Sequence, residues 1–140
     1  MTRSTKVKLP LGWSDYSGEN PEGPPTFLRD LSDLPGPLQI SIIPYIKGEI
    51  PNPTEHDLIE LAQRLGFDHN WGQVLEVSSG FCAFGIYGTA VFSGSDFHRV
   101  QVWYLSNGKD FILATHICQE EPDPTEVKEA QTIVTEIELE

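Results

Sequence analysis

The sequence is poor in basic residues, and it contains no long hydrophobic run. The chain has nine Lys and Arg residues and 21 Asp and Glu residues, which gives a formal net charge of -12 at pH 7. Such a chain repels nucleic-acid phosphates, and by the same Coulombic reasoning it attracts a basic protein. No stretch approaches the roughly 18 apolar residues of a membrane span, and no apolar signal segment follows the N-terminus. We therefore expect a cytoplasmic protein that binds neither nucleic acid nor a membrane.

Cysteine is also scarce, and the two thiols do not have the pattern of a disulfide framework. Cys82 and Cys118 both lie in apolar runs, so we expect two buried free thiols in a reducing compartment. His116 and Cys118 share one strand face, but a zinc site needs about four ligands and no second pair is spaced to complete it. We predict no metal and no cofactor.

Catalytic motifs are missing as well. The glycine-rich stretch 78–94 has no lysine after its glycines, which a Walker loop requires, and no helix follows it, which dinucleotide binding requires. Its alternation instead predicts one strand, with Cys82, Phe84 and Ile86 on an apolar face. No serine lies in a nucleophile elbow, and the segment around Asp96 and His98 is typical of a turn. We therefore expect a protein that is not an enzyme.

What the sequence does contain is a series of strand and helix signals. Short strands are predicted at 11–16, at 26–31 and in "LQISIIPYI", where Pro44 indicates an edge strand or a bulge. One helix is predicted to begin with Asn52 as its N-cap and Pro53 in its first turn, and to end at Gly66. "TEIELE" alternates apolar and acidic residues and predicts a final strand.

A second helix repeats the same starting chemistry. Asp123 is the predicted N-cap, Pro124 the first helical residue, and Glu126 the carboxylate that returns to the cap. The acidic residues Glu120 and Glu121 precede it and, like Asp123, favour the positive end of the helix dipole. The chain has more acidic residues than this structural role requires, and the surplus of acidic over basic residues suggests a charged binding surface.

A β-hairpin lies between the two helices. Asn107 and Gly108 are the predicted two-residue loop, so that Tyr104 opposes Phe111. One face of the hairpin is then apolar and is the predicted core face: Val100, Val102, Tyr104, Phe111, Leu113 and Thr115. The other face mixes aromatic, small and polar groups, among them Arg99, Trp103 and His116. We expect this mixed face to be partly exposed or covered by another element.

The order of these elements resembles the Mog1/PsbP-like fold, including its bacterial immunity-protein-like members. The hairpin residues Trp103, Gly108, Phe111 and Thr115 approximate a pattern of related bacterial proteins, and a terminal helix and strand follow them. The resemblance implies a single α+β domain over residues 1–140, with an antiparallel sheet of six to seven strands flanked by two main helices. It also implies no catalytic residues and a role in binding proteins.

The leading hypothesis is an acidic protein-binding module. In its most concrete form, it is a cytoplasmic immunity protein that neutralises a secreted toxin, such as one delivered by type VI secretion, by binding a basic toxin domain. The candidate contact residues are Trp13, Tyr16, Tyr45, Trp71, Glu120, Glu121 and Asp123. An alternative is a non-catalytic ligand-binding or accessory domain that uses Tyr87, Arg99, Trp103 and His116 on the mixed face. A hydrolase without a recognised motif is the third hypothesis, and the oligomeric state stays open.

Overall fold

A computed structural model describes residues 4–19 and 21–140 of the chain. It contains two helices, α1 (Glu55–Asp68) and α2 (Pro124–Thr135). The strands are β1 (Thr5–Lys6), β2 (Trp13–Asp15), β3 (Thr26–Arg29), β4 (Leu38–Ile43), β5 (Gln73–Phe81), β6 (Ile86–Ser93), β7 (Arg99–Ser106), β8 (Phe111–Cys118) and β9 (Glu138–Leu139). A short 3₁₀ turn (Ser17–Glu19) follows β2.

The main sheet has seven strands in the order β2-β3-β4-β8-β7-β6-β5, and every neighbouring pair is antiparallel. The two terminal strands, β1 and β9, pair with each other in a separate small sheet. The predicted α+β class, with an antiparallel sheet of six to seven strands and two main helices, is therefore confirmed. The final strand is shorter than predicted. Because α2 continues to Thr135, only two residues form β9.

Both faces of the sheet are covered, each by one helix. The face with Val100 and Val102 packs against α1 through Ala62. The opposite face packs against α2, where Trp103 meets Ala130 and Ile133 in the larger core cluster. The prediction that Val100 and its neighbours form the core face is thus incomplete, since the mixed face is at least as deeply buried. A central strand with a helix on each side must be apolar or hydrogen-bonded on both faces.

The hairpin of β7 and β8 has a longer loop than predicted. Tyr104 lies opposite Leu113 rather than Phe111, so the loop contains the four residues 107–110. Asn107 closes it, because its side-chain Oδ1 accepts hydrogen bonds from the backbone N–H of Lys109 at 3.0 Å and of Asp110 at 2.8 Å. The register differs by two residues, an even number, so every side chain keeps its predicted face.

The glycine-rich stretch 78–94 is two strands, β5 and β6, and not the single strand predicted. The turn between them uses Gly85, whose φ of +155° is unfavourable for other residues and whose Cβ would lie 2.2 Å from the Ser106 carbonyl oxygen. In β6, a Cβ on Gly88 would lie 2.5 Å from the backbone nitrogen of Ile59. The glycine in β6 therefore lets the backbone of α1 approach the sheet directly.

The start of α1 differs from the prediction. Asn52 has a φ of +42° and lies outside the helix, whereas Thr54 is the N-cap. The Thr54 hydroxyl accepts from the Asp57 N–H at 3.1 Å, and the Asp57 carboxylate accepts from the Thr54 N–H at 2.9 Å. This reciprocal pair satisfies two backbone donors that Asn52 could not reach. At the other end the helix continues past Gly66, which is buried in contact with Phe92.

The start of α2 is confirmed in one part and wrong in another. Asp123 is the N-cap and accepts from the Thr125 N–H at 2.8 Å, and Pro124 is the first helical residue. Glu126, however, does not return to the cap, because its side chain points inward and is fully buried.

Pro44 also differs from expectation. It follows the end of β4 at Ile43, and β4 is an interior strand between β3 and β8.

Candidate functional site

Two acidic loops meet beside the start of α2. The loop between β3 and β4 and the segment between β8 and α2 share a depression of about 540 Å³, to which Asp33, Leu34, Glu121 and Asp123 contribute. A neighbouring depression of about 420 Å³ contains Leu34 and Glu120. Leu34 is 69% exposed and borders both. We call Asp33, Leu34, Glu120, Glu121 and Asp123 the acidic loop surface.

A buried arginine anchors this surface from below. The Arg29 side chain, only 10% exposed, lies on β3 and forms an ion pair with Asp123 at 3.2 Å and another with Glu129 at 3.0 Å. Its Nη1 also donates to the Ser32 hydroxyl at 3.0 Å, and the Trp13 indole N–H donates to Glu129 at 3.1 Å. One guanidinium therefore joins four parts of the fold: β3, the loop that follows β3, the N-cap of α2 and the second turn of α2.

A second buried contact holds the same loop. The backbone N–H of Gly36 donates to Glu126 Oε2 at 3.1 Å, and His116 Nε2 lies 2.7 Å from the same oxygen. Burial raises the pKa of the Glu126 carboxyl, but the His116 hydrogen bond, the nearby Ser32 side chain and the Gly36 N–H together outweigh it and leave that pKa below its usual value. The ionised carboxylate thus ties the loop to β8 and α2.

Gly36 itself packs against β8 with no space for a side chain. A Cβ at this position would lie 2.5 Å from the Ile117 carbonyl oxygen and 2.7 Å from Cys118 Sγ. The loop that carries Leu34 is consequently held by Arg29 on one side and by the Gly36 contact on the other.

Cys118 completes a buried group of three possible metal ligands. Its sulfur lies 3.6 Å from His116 Nε2 and 4.0 Å from Glu126 Oε2. Burial, followed by the charge of Glu126, raises the pKa of the Cys118 thiol to about 12, so the thiol is protonated at neutral pH. Sequence reasoning paired His116 with Cys118 but missed Glu126, because its position after Asp123 and Pro124 is also that of a capping carboxylate. Only the packing of α2 onto β8 reveals the third group.

No family model matches the sequence, and no curated protein matches it either. Among solved structures, the chain is similar to the cyanobacterial PsbP protein (CyanoP) of Synechocystis sp. PCC 6803, with a TM-score of 0.55 and 13% identity. That match covers 98% of this chain and 93% of the other. The chain has the PsbP/Mog1-like fold.

A second solved structure, from Bacteroides thetaiotaomicron VPI-5482, has a TM-score of 0.49 and 16% identity. It covers 97% of this chain and 45% of the other. At 13% identity, the likeness to CyanoP shows the fold alone, because one fold hosts many functions. Within the described ranges, neither helix is long and apolar enough to cross a membrane.

The predicted aromatic contact residues lie in different parts of the PsbP/Mog1-like fold. Trp13 is 7% exposed and belongs to the core, so its predicted place on a contact surface is wrong. Tyr16 is half-buried with its hydroxyl on Asp30, and Tyr45 is half-buried with its hydroxyl on the Gly48 carbonyl. Trp71 stacks on His69 at a ring distance of 4.8 Å, just before the opposite sheet edge. These residues do not form one surface, whereas Glu120, Glu121 and Asp123 do lie together.

The predicted ligand face is closed. Trp103 and His116 are fully buried beneath α2, where the Trp103 indole N–H donates to Gln131 at 2.6 Å. Gln131 in turn donates to the Tyr87 hydroxyl at 3.4 Å, and Arg99 donates to the Gln101 side chain at 3.0 Å. The mixed face is therefore covered by another element, the second of the two outcomes expected from the sequence, and Trp103 and His116 are not accessible to a ligand.

Two exposed features were not found from the sequence. The edge strand β5 exposes Leu75 and Phe81, the latter at 84%, and its apolar residues show no regular alternation that would have marked a strand. A depression of about 680 Å³ lies between the terminal strands and β4, with Val7, Phe27 and Ile42 in its lining. Neither feature includes a residue that the sequence singled out for binding.

Proposed function

We propose that this chain is a protein-binding module, and specifically a cytoplasmic immunity protein that neutralises a secreted toxin by binding it without catalysis. The observation that carries the proposal is the acidic loop surface, in which four carboxylates surround one exposed leucine. Carboxylates steer a basic partner towards the surface and select it by charge, and an apolar side chain among them supplies an anchor that loses water on contact.

The way in which the surface is held supports the same role. A loop that is ordered only on binding costs affinity, whereas a loop already fixed does not. Arg29 and the Gly36–Glu126 contact fix the loop on both sides of Leu34 before any partner arrives. The acidic charge of this surface favours a basic partner, and we propose a basic toxin domain, such as one delivered by type VI secretion.

The test compares two double charge reversals with the same change in net charge. Glu120→Lys with Glu121→Lys alters the acidic loop surface, while Glu136→Lys with Glu138→Lys alters exposed acids near the C-terminus that border neither depression. Each variant is co-expressed with a secreted toxin domain found encoded next to this gene in its native host. We expect the first variant to lose both rescue of growth and the complex on size exclusion, and the second to keep both.

Equal rescue by the two variants would overturn the acidic loop surface as the contact. Failure of the unaltered protein to rescue growth or to form a complex would overturn the immunity function itself.

A further inference from the structure

The group beneath the acidic loop surface contains an imidazole, a thiol and a carboxylate in direct contact. His116 Nε2 and Glu126 Oε2 are 2.7 Å apart, and Cys118 Sγ lies 3.6 Å from the first and 4.0 Å from the second. All three residues are buried, and their ligand atoms lie within 4.8 Å of one another. The two residues from β8 and the one from α2 are held by separate elements, so packing of the helix brings the three groups together.

A second observation points to the same place. Among the residues that the structure describes, two buried side-chain polar atoms lack a hydrogen-bond partner, Arg99 Nη1 and Glu126 Oε1. Glu126 belongs to the group, and Arg99 lies directly opposite Cys118 on β7. Buried polar atoms nearly always have a partner, so an unpaired carboxylate oxygen of the group and an unpaired nitrogen of the residue opposite Cys118 require an explanation.

We propose that His116, Cys118 and Glu126 bind a zinc ion. A mixed set of nitrogen, sulfur and carboxylate oxygen is typical of Zn²⁺ and unlike the all-oxygen sites of Mg²⁺ or Ca²⁺. In a tetrahedral site with ordinary zinc bond lengths, ligand atoms are about 3.3–3.6 Å apart. The 3.6 Å separation is already in that range. The 4.0 Å separation shortens by about 0.4 Å, and the 2.7 Å separation widens by about 0.6 Å, when the ion replaces the proton between His116 and Glu126.

The charges and protons of the step balance. Cys118 binds as a thiolate and releases its proton to water, while the His116 proton moves from Nε2 to Nδ1 so that Nε2 can bind the ion. The thiolate and the Glu126 carboxylate together neutralise Zn²⁺. The free Arg99 Nη1 then has an acceptor, because it can donate to the thiolate sulfur as an outer partner of the site. The fourth position is left for water, as in zinc sites with three protein ligands.

A surface depression lies next to the group, on the loop that carries Leu34. Leu34, Pro35, Gly36 and Ile117 line the depression of about 420 Å³, and Gly36 separates it from the Cys118 thiol by the thickness of one backbone. The inference does not depend on the proposed function, because metal binding is measured on the isolated protein.

The test is titration of the metal-free protein with Zn²⁺, followed by calorimetry, and with Co²⁺, followed by absorption. We expect one zinc per chain at micromolar concentration or tighter. We also expect a cobalt spectrum with a thiolate-to-metal charge-transfer band and the strong visible bands of a tetrahedral site. Cys118→Ser should remove the charge-transfer band, while the matched control Cys82→Ser should leave it unchanged. Glu126→Gln, which keeps the shape of the side chain, should weaken zinc binding at least tenfold.

Absence of micromolar zinc binding by the unaltered protein would overturn the proposal without any variant. Zinc binding that Cys118→Ser leaves intact would also overturn it, since the ion would then bind without the Cys118 thiolate. Far-ultraviolet circular dichroism of each variant establishes that a lost signal does not reflect unfolding.

Discussion

Substitution of Gly36 by alanine tests whether the loop that carries Leu34 is held as the structure indicates. The new Cβ would lie 2.5 Å from the Ile117 carbonyl oxygen and 2.7 Å from Cys118 Sγ, nearly 1 Å inside ordinary contact distance. The obstacles are a strand backbone and a buried thiol, so the loop must move instead. Overpacking of this kind costs about 1–3 kcal/mol. The movement also lengthens the 3.1 Å hydrogen bond to Glu126, and a bond to a charged group contributes about 1.5–3 kcal/mol.

We therefore expect Gly36→Ala to lower the free energy of unfolding by about 2–4 kcal/mol, measured by urea denaturation. The matched control is Gly18→Ala, because a Cβ on Gly18 has no atom within 4 Å. Its effect should stay within about 0.5 kcal/mol, as for most surface substitutions. Equal stability of the two variants would show that the β3–β4 loop tolerates displacement from β8 at no cost, which contradicts the close packing of Gly36.

Two further predictions concern the ends of α1 and α2. The hydrogen bond from the backbone of Thr54, and then that from its hydroxyl, holds the pKa of the Asp57 carboxyl below its usual value. A depressed pKa stabilises the folded state above the unfolded value and loses that stabilisation as pH falls through the folded one. Asp57→Asn should therefore flatten the fall in Tm below pH 4, and an unchanged acid profile would contradict the capping role. Arg29→Met should lower the free energy of unfolding by about 2 kcal/mol in urea, less than for a fully buried pair because its partners are partly exposed. A variant as stable as the original protein would show that Asp123 and Glu129 do not need Arg29.

The features that the sequence predicted correctly depend on local chemistry. Asp123 followed by Pro124 specifies a helix start within two residues, and the structure has that start. The alternation in β7 and β8 specifies which side chains share a face. This assignment is correct although the predicted loop length was wrong, because the register differs by an even number of residues. The prediction that the glycine-rich stretch is extended was likewise right. The alternation of its residues gave no sign of the turn at Gly85 that divides it into two strands.

The features that the sequence did not predict depend on contacts between distant segments. Asn52 and Thr54 are both good capping residues, but the Asn52 backbone N–H donates to the Gly108 carbonyl of the hairpin loop at 2.8 Å, and Thr54 caps the helix with Asp57. The inward side chain of Glu126 depends on a histidine on another element and on the Gly36 backbone, 90 positions earlier in the chain. The burial of Trp13 likewise depends on Glu129 of α2. Tertiary packing decided each of these outcomes between locally equal options.

The buried position of Arg29 has a consequence for how a contact surface on this protein would be mapped. Alanine scanning scores a residue by the affinity lost, and Arg29 should score as strongly as a true contact because it holds Ser32 and Asp123 in place. Yet its side chain is almost inaccessible and cannot touch a partner. An epitope drawn from affinity data alone would thus extend into the interior. Chemical footprinting of the same complex would leave Arg29 out, and the disagreement between the two maps would itself identify the residue as a support.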